Sequence, residues 1–210
     1  MEYNNTILQL FLILNNLSKN TFLVGGCVRD ILLNKSPKDF DIVTDIPIDD
    51  IIKNLKENDW VVKETGKQFL IIVASKNGQQ FEIALFRKDS SHTDGRRPDS
   101  VSIGTIVEDS FRRDFTINSL YLNPWTGEIL DPTGRGQEDL KHKVIRFNGK
   151  ASERVEEDYL RVFRAYRFAS TLGFNIENKT LKACRSNFET ACKSISSQRI
   201  LVEVEKMSGI

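Results

Sequence analysis

The sequence predicts an α/β head followed by a helical C-terminal part, and three observations carry that expectation. Over the first 150 residues, short apolar runs bounded by glycine, proline and aspartate alternate with stretches of helical spacing, as strands laid against helices do. Asn77-Gly78 joins two of these runs and is a hairpin signal. From residue 155 onward the signals are helical. The head is therefore placed over residues 1–150 and the helical part over 151–210.

The elements follow in order. Ile7, Leu10, Phe11, Leu14 and Leu17 fall at helical spacing and predict an amphipathic helix packed on a sheet. Residues 21–24 read as a strand ending at Gly25-Gly26. Val28, Ile31 and Leu32 share a face of a helix over 28–33. Residues 40–43 read as a strand, and Pro47 with Asp49-Asp50 opens a helix running to about residue 58. Three strands are expected at 60–62, 68–74 and 79–86. The polar stretch 88–100, with Gly95 and Pro98, is a loop. A helix is expected at 112–120, a turn at 124–127 and a loop at 131–136. Helices over 155–172, 178–192 and 196–207 complete the chain.

Composition narrows the class. Forty per cent hydrophobic and 28% charged residues describe a globular chain, long enough at 210 residues to bury a core. A net charge of +1 gives no global basic field, so contact with nucleic acid must come from local patches. Cys27, Cys184 and Cys192 are odd in number, lack metal-ligand spacing and fit a reduced, cytoplasmic setting. With His92 and His142 as the only histidines, a zinc site or a His-based triad is disfavoured. The apolar run at 7–17 is too short for a membrane span of about 20 residues. It also lacks the basic leader of a signal peptide.

The chemistry begins at Gly25-Gly26-Cys27-Val28-Arg29-Asp30. Glycine permits positive φ and close approach of the backbone to a ligand. The helix that follows offers unpaired N–H groups and a positive dipole end, which suit a phosphate, and Arg29 adds charge on its first turn. An ordinary strand–turn–helix joint with a structural arginine would look the same. Asp39 and Asp41 favour the chemical account. On a strand they share a face, with Phe40 and Ile42 turned to the core. Two such carboxylates are hard oxygen ligands for magnesium shared with substrate phosphates. Two metals could activate a 3′-hydroxyl and stabilise a pyrophosphate leaving group. Glu82 is a lone charge in an apolar strand. It reads either as a third acidic group near the metals or as a solvent-facing residue.

Glu157-Asp158-Tyr159-Leu160-Arg161 is expected to begin the long helix, putting Asp158 and Arg161 on one face. A surface ion pair worth under about 1 kcal/mol accounts for that spacing. A second account uses base chemistry. Cytosine and adenine present an amino donor beside a ring-nitrogen acceptor. Asp158 can accept from the first and Arg161 can donate to the second. Guanine and uracil invert the pattern and would leave polar groups unpaired. Arg164 and Arg167 extend the series as further candidate nucleotide contacts, a spacing that also suits a solvated basic face.

Taken together, these motifs resemble class II tRNA nucleotidyltransferases (CCA-adding enzymes) and their bacterial poly(A) polymerase relatives. The glycine segment with Asp39-Phe40-Asp41 looks like the family's first motif. Residues Arg112-Arg113-Asp114-Phe115-Thr116-Ile117-Asn118 resemble the second, associated with ribose recognition, and bring in Arg113, Asp114 and Asn118 as nucleotide contacts. Asp131 through Arg146 is similar to the third, residues 157–161 to the nucleotide-templating fourth, and Ser196-Ser197-Gln198-Arg199-Ile200 with Glu203 and Lys206 to the fifth. The resemblance implies an α+β fold: a polymerase-beta-like head with a mixed sheet, then a helical neck. It implies magnesium on Asp39 and Asp41, and Asp158 and Arg161 templating CTP and then ATP for addition to a tRNA 3′ end. Asp94-Gly95-Arg96-Arg97-Pro98 sits where the family's flexible loop lies, which is linked to the switch from C to A addition; an ordinary charged surface loop would read alike.

Three departures matter. Tyr159 stands where the family usually has proline, a change expected to be tolerated. Gln198 stands where glutamate is usual. The family normally continues into body and tail domains that grip tRNA, whereas this sequence ends at Ile210. Weaker tRNA binding is expected, unless further domains or a C-terminal partner chain supply the grip. Poly(A) synthesis and partial CC- or A-addition are sibling readings. A non-catalytic nucleotide- or RNA-binding module, or half of a split enzyme, is the reading from another class.

Overall fold

The computed structural model describes residues 4–90 and 100–208. The chain forms two compact units, one from Met1–Lys88, Val101–Ser110 and Leu120–Pro132, the other from Asp89–Ser100, Phe111–Ser119 and Thr133–Ile210. The candidate loop residues Asp94, Arg96 and Arg97 lie outside the described residues.

The first unit opens with α1 (Asn5–Leu17), whose first turn is capped by Asn4 Oδ1 accepting from the N–H groups of Thr6 and Ile7. There follow β1 (Thr21–Val24), α2 (Gly26–Leu32), β2 (Asp41–Thr44), α3 (Ile48–Glu57), β3 (Val61–Lys63), β4 (Ile71–Lys76) and β5 (Gln79–Leu85). Then come β6 (Arg87–Asp89), β7 (Val101–Ile103), α4 (Ile106–Arg112), β8 (Tyr121–Leu122) and β9 (Ile129–Leu130). Seven strands form one sheet in the order β3-β4-β5-β2-β1-β8-β9. β2 and β5 run parallel and the other neighbours are antiparallel, so the sheet is mixed.

Two apolar layers hold this unit. Ile7, Leu10 and Leu14 of α1 and Ile51 and Leu55 of α3 are fully buried. Each such side chain contributes about 1.5–3 kcal/mol by leaving water. A second cluster joins Phe22, Val24, Val43, Phe86 and Tyr121, with Ile106 and Leu130 packed on it. Buried Tyr121 donates its hydroxyl to Asp109 Oδ2 at 2.6 Å, so its polar tip is satisfied. β4 and β5 are joined by the two residues Asn77 and Gly78, both at positive φ (52° and 74°), as a type I′ hairpin requires.

Two strand expectations need correction here. Residues 67–69 form a 3-10 turn, and left-handed Leu70 (φ 60°) delays the strand to Ile71. β2 begins at Asp41, so Asp39 and Phe40 belong to the connection before it.

In the second unit, Thr116–Asn118 is a 3-10 turn, followed by α5 (Gly136–Lys141), β10 (Val144–Ile145), α6 (Ala151–Glu157), α7 (Leu160–Leu172), β11 (Asn175–Ile176), α8 (Asn178–Ser186), α9 (Phe188–Ser194) and α10 (Ser197–Ser208). Phe115 and Phe147 stack at 5.1 Å, and Phe168 meets Phe115 edge-on at 5.4 Å. The helix expected over 112–120 is absent. Phe115 is extended (φ −119°, ψ 150°) and forms an antiparallel bridge with Phe147. Buried Asn148 donates to the Arg113 carbonyl at 2.9 Å, clamping that segment out of helix. The helix expected over 155–172 is broken at Asp158-Tyr159, and that over 178–192 at Asn187.

Candidate functional site

The first unit collects one set of site residues through strand register. Val24 of β1 pairs with Asp41 of β2, and Asp41 pairs with Glu82 of β5. Register partners on neighbouring strands point to the same face at strand spacing, about 5 Å apart. The Gly25-Gly26 turn follows Val24 directly, so the turn leaves the end of β1 beside Asp41 at the start of β2, with Glu82 level with Asp41 in the middle of β5. Asp41 is half-buried, while Asp39 and Glu82 are exposed. Glu82 thus neighbours Asp41 across the register, whereas Asp39 lies in the connection that precedes β2.

Gly25 has φ 80° and ψ −132°, a conformation essentially restricted to glycine, and heads α2. At Gly26 an added Cβ would lie 3.6 Å from the Arg29 guanidinium. Arg29 lies beyond the first turn of α2, is buried, and donates from Nε and Nη2 to Asp30 Oδ1 at 2.9 and 2.7 Å. Cys27 is buried, its thiol donating to the Val24 carbonyl at 3.2 Å, and burial pushes it up to about 11. It is inert packing under the turn. Among the described residues no three acidic, histidine or cysteine side chains form a metal-holding group. Carboxylate oxygens such as those of Asp41 and Glu82 are hard ligands of the kind magnesium takes together with phosphate oxygens and water.

The second set lies in the second unit. Asp114 Oδ1 accepts from the Phe115 N–H at 2.8 Å and the Asn118 amide at 3.0 Å. Its Oδ2 accepts from Nε and Nη2 of Arg164 at 2.8 and 2.5 Å. Burial works to raise its pKa, but the Arg164 charge and these hydrogen bonds outweigh it and hold the carboxyl at about 2. The Asp114 charge in turn raises Arg164.

Asp158 is extended (φ −152°, ψ 102°) between α6 and α7. Its Oδ1 accepts from the Leu160 N–H at 3.0 Å; its other oxygen makes no hydrogen bond among the described residues, while the charges of Arg161, Arg199 and Arg164 act on the carboxylate. Burial raises its pKa. Tyr159 has φ −60°, the value proline would impose, which explains why the fold accepts tyrosine there. Arg161 is buried. Its Nη1 donates to the Arg154 carbonyl at 2.8 Å and to Glu157 Oε2 at 2.9 Å, and its Nη2 to the Arg112 carbonyl at 3.0 Å. Three of five N–H donors are thus held by protein, leaving two.

The solvated basic face that the spacing of Arg164 and Arg167 also suited is not what forms, and both candidate nucleotide contacts already hold protein carboxylates. Arg164 is bound to Asp114, while Arg167 donates to buried Glu203 at 2.5 Å and lies 3.9 Å over the Phe168 ring. Both arginines are neutralised locally and brace α7. The Glu157–Arg161 pair was discoverable from its i,i+4 spacing. The carbonyl anchors of Arg154 and Arg112 carry no sequence signal. Arg113 is half-buried beside them, its carbonyl held by Asn148.

A mixed sheet carrying a glycine turn and adjacent carboxylates thus characterises the first unit, and an anchored carboxylate–arginine set the helical second unit. Residues 21–146 match the model of the poly A polymerase head domain, and the chain belongs to that family. It is 43% identical over 191 residues to the CCA-adding enzyme of Pediococcus pentosaceus, covering 90% of this chain and 46% of that protein. It also superimposes on the crystal structure of the Bacillus stearothermophilus CCA-adding enzyme in complex with CTP, with TM-score 0.82 and 32% identity over 96% of this chain and 47% of that one. A tRNA nucleotidyltransferase complexed with a primer tRNA and an incoming ATP analog aligns with TM-score 0.72 and 29% identity over 89% of this chain and 52% of that one. The chain spans about half the length of the curated relatives it matches. No helix among the described residues is long and apolar enough to cross a membrane.

Proposed function

We propose that this chain is the catalytic head (residues 1–150) and nucleotide-selecting neck (151–210) of a CCA-adding enzyme, transferring CMP and then AMP from CTP and ATP to a tRNA 3′-hydroxyl. The observation that carries the reading is the register row that sets Asp41 beside Glu82 at the Gly25-Gly26 turn. Relatives of that name at about 40% identity support it.

In this reading the Gly25-Gly26 backbone receives the triphosphate, since no side chain there blocks its approach. Asp39 and Asp41 would hold magnesium, with Glu82 alongside. When bound, the metal supplies activation of the 3′-hydroxyl and charge stabilisation on the departing pyrophosphate. Asp114, kept ionised by Arg164, fixes Asn118 for a sugar hydroxyl. Asp158 accepts from the amino group of cytosine or adenine through its unpaired oxygen. Arg161, immobilised by two carbonyls and Glu157, donates to the ring nitrogen with an N–H the protein leaves unused.

The test is incorporation of each labelled nucleotide into tRNA lacking its 3′-terminal CCA, by this chain alone with magnesium. Addition of C, C and A supports the reading. A ladder of many A residues would replace it with poly(A) synthesis, and no transfer at all would favour a binding module or half-enzyme.

A further inference from the structure

A cavity of about 810 Å³ opens in the second unit, and none of Asp114, Asp158, Arg161 or Arg164 lines it. Its volume is that of a nucleotide-sized ligand site. Its lining includes buried Thr116, Phe147 and Thr180. Five cations line it against a single carboxylate, Glu177. Arg146 is neutralised by Asp139 at 2.9 Å and Glu177 at 3.3 Å, and Lys150 pairs with Glu153 at 2.8 Å. Arg135, Lys179 and Lys182 are exposed and form no ion pair among the described residues. The chain carries a net charge of only +1, so three uncompensated cations around one concavity are a local concentration.

Two details argue that this charge serves a ligand. Lys179 is the second residue of α8, where the helix dipole disfavours a cation. It shares a face with Lys182 three residues on, so the helix gathers two like charges at the cavity. Phe111, 41% exposed, adds an aromatic ring to the same lining. A basic concavity with an exposed ring is the combination that tracks a nucleic-acid backbone and stacks a base.

We propose that this cavity is an RNA-backbone site, in which Arg135, Lys179 and Lys182 take phosphodiesters of the acceptor RNA and Phe111 stacks a base. The inference rests on the reading of the chain as an RNA nucleotidyltransferase and adds a contact separate from base selection. Each phosphate contact releases counterions and adds about 0.7–0.9 to the slope of log affinity against log salt.

The test is fluorescence anisotropy of a 5′-fluorescein tRNA transcript lacking its three 3′-terminal nucleotides, titrated with the full chain at several salt concentrations. Lys179→Gln/Lys182→Gln should lower the slope by about 1.4–1.8 and weaken binding about ten-fold or more near 0.1 M salt. The melting temperature and its rise on adding CTP should stay as in the wild type. Wild-type slope and affinity in the double variant would overturn the proposal, as would absence of RNA binding by the wild-type chain. Stabilisation by inorganic phosphate that depends on both lysines, without an effect on RNA binding, would also overturn it and mark a small-anion site. If the variants lose RNA but the wild type transfers no nucleotide, the cavity stands and the proposed activity falls. If the wild type transfers nucleotide and the variants bind RNA unchanged, the activity stands and the cavity site falls.

Discussion

The Asp114–Arg164 pair offers the sharpest energetic test of the second unit. Asp114 stands at about 2 against an ordinary 3.8. That difference of about 2 pH units corresponds to about 2–3 kcal/mol of stabilisation at neutral pH, at about 1.36 kcal/mol per unit. The sign follows from the depressed value: the contribution is present above pH 3.8 and is lost as pH falls toward about 2. Asp114→Asn keeps an acceptor oxygen but removes the charge, so it should cost about 2–3 kcal/mol in urea unfolding at pH 7. Arg164→Gln should cost a comparable amount, because it leaves a buried carboxylate with only its Asn118 and Phe115 donors. The double variant should lose less than the sum, with a coupling of about 1–2 kcal/mol. Wild type and Asp114→Asn should converge in stability by about pH 2. A coupling below about 0.5 kcal/mol would refute the reasoning and mean that water reaching the 32% exposed Arg164 side chain screens the pair.

Four further outcomes follow from the geometry. Asp41→Asn should abolish nucleotide incorporation with the thermal melt unchanged, and retention of more than about a tenth of the rate would count against its place in the chemistry. Arg161→Lys should lower discrimination of CTP and ATP over UTP and GTP by about 100-fold, because an ammonium cannot hold two carbonyls and a carboxylate while still donating to a base; equal misincorporation by the variant and wild type would disprove this. Gly25→Ala should lose about 1–3 kcal/mol in urea unfolding, since φ 80° with ψ −132° strains any side chain, and an unchanged midpoint would exclude that strain. Because burial raises Asp158, base discrimination should decline on acidification at a higher pH than a free aspartate would impose; a pH profile of misincorporation that stays flat to pH 4 would remove Asp158 from base reading.

The elements legible in the sequence were those whose local and tertiary preferences agree. Residues 21–24 form the expected strand, and Ile7, Leu10, Phe11 and Leu14 mark the buried face of α1 as their spacing predicts. Asn77-Gly78 makes its hairpin because both residues tolerate positive φ. The failures occur where a distant partner wins. Residues 112–120 have a helical pattern, yet the Phe115–Phe147 bridge and the Asn148 clamp pull the segment into extended backbone. Arg164 and Arg167 look like a solvated face only while Asp114 and Glu203, 50 and 36 residues away, are out of view. Among site residues, Glu82 reads from sequence equally as a metal-side carboxylate or a solvent-facing residue. It is drawn to Asp41 by parallel pairing of β2 with β5, a register no local pattern encodes.

The break between α6 and α7 explains why the candidate base-reading residues, half-buried Asp158 and buried Arg161, can be both held and available. In a continuous helix, Asp158 would place its backbone in the hydrogen-bond ladder and its carboxylate among its neighbours three and four residues away. Extended backbone instead lets Oδ1 cap the Leu160 N–H, which fixes the rotamer while leaving the second oxygen uncommitted. Arg161 is fixed by the complementary device. Its guanidinium binds the carbonyl of Arg112, the last residue of α4, and that of Arg154, in the last turn of α6. Helix C-termini leave such carbonyls without intrahelical partners and carry negative dipole ends, so a cation is the natural occupant. The groups proposed to choose the base are therefore held by the same bonds that satisfy the ends of the helices. A change that healed the break, making 155–172 one helix, would release Arg161 from its carbonyls and turn Asp158 back to the ladder. Helix content would rise while discrimination between bases fell.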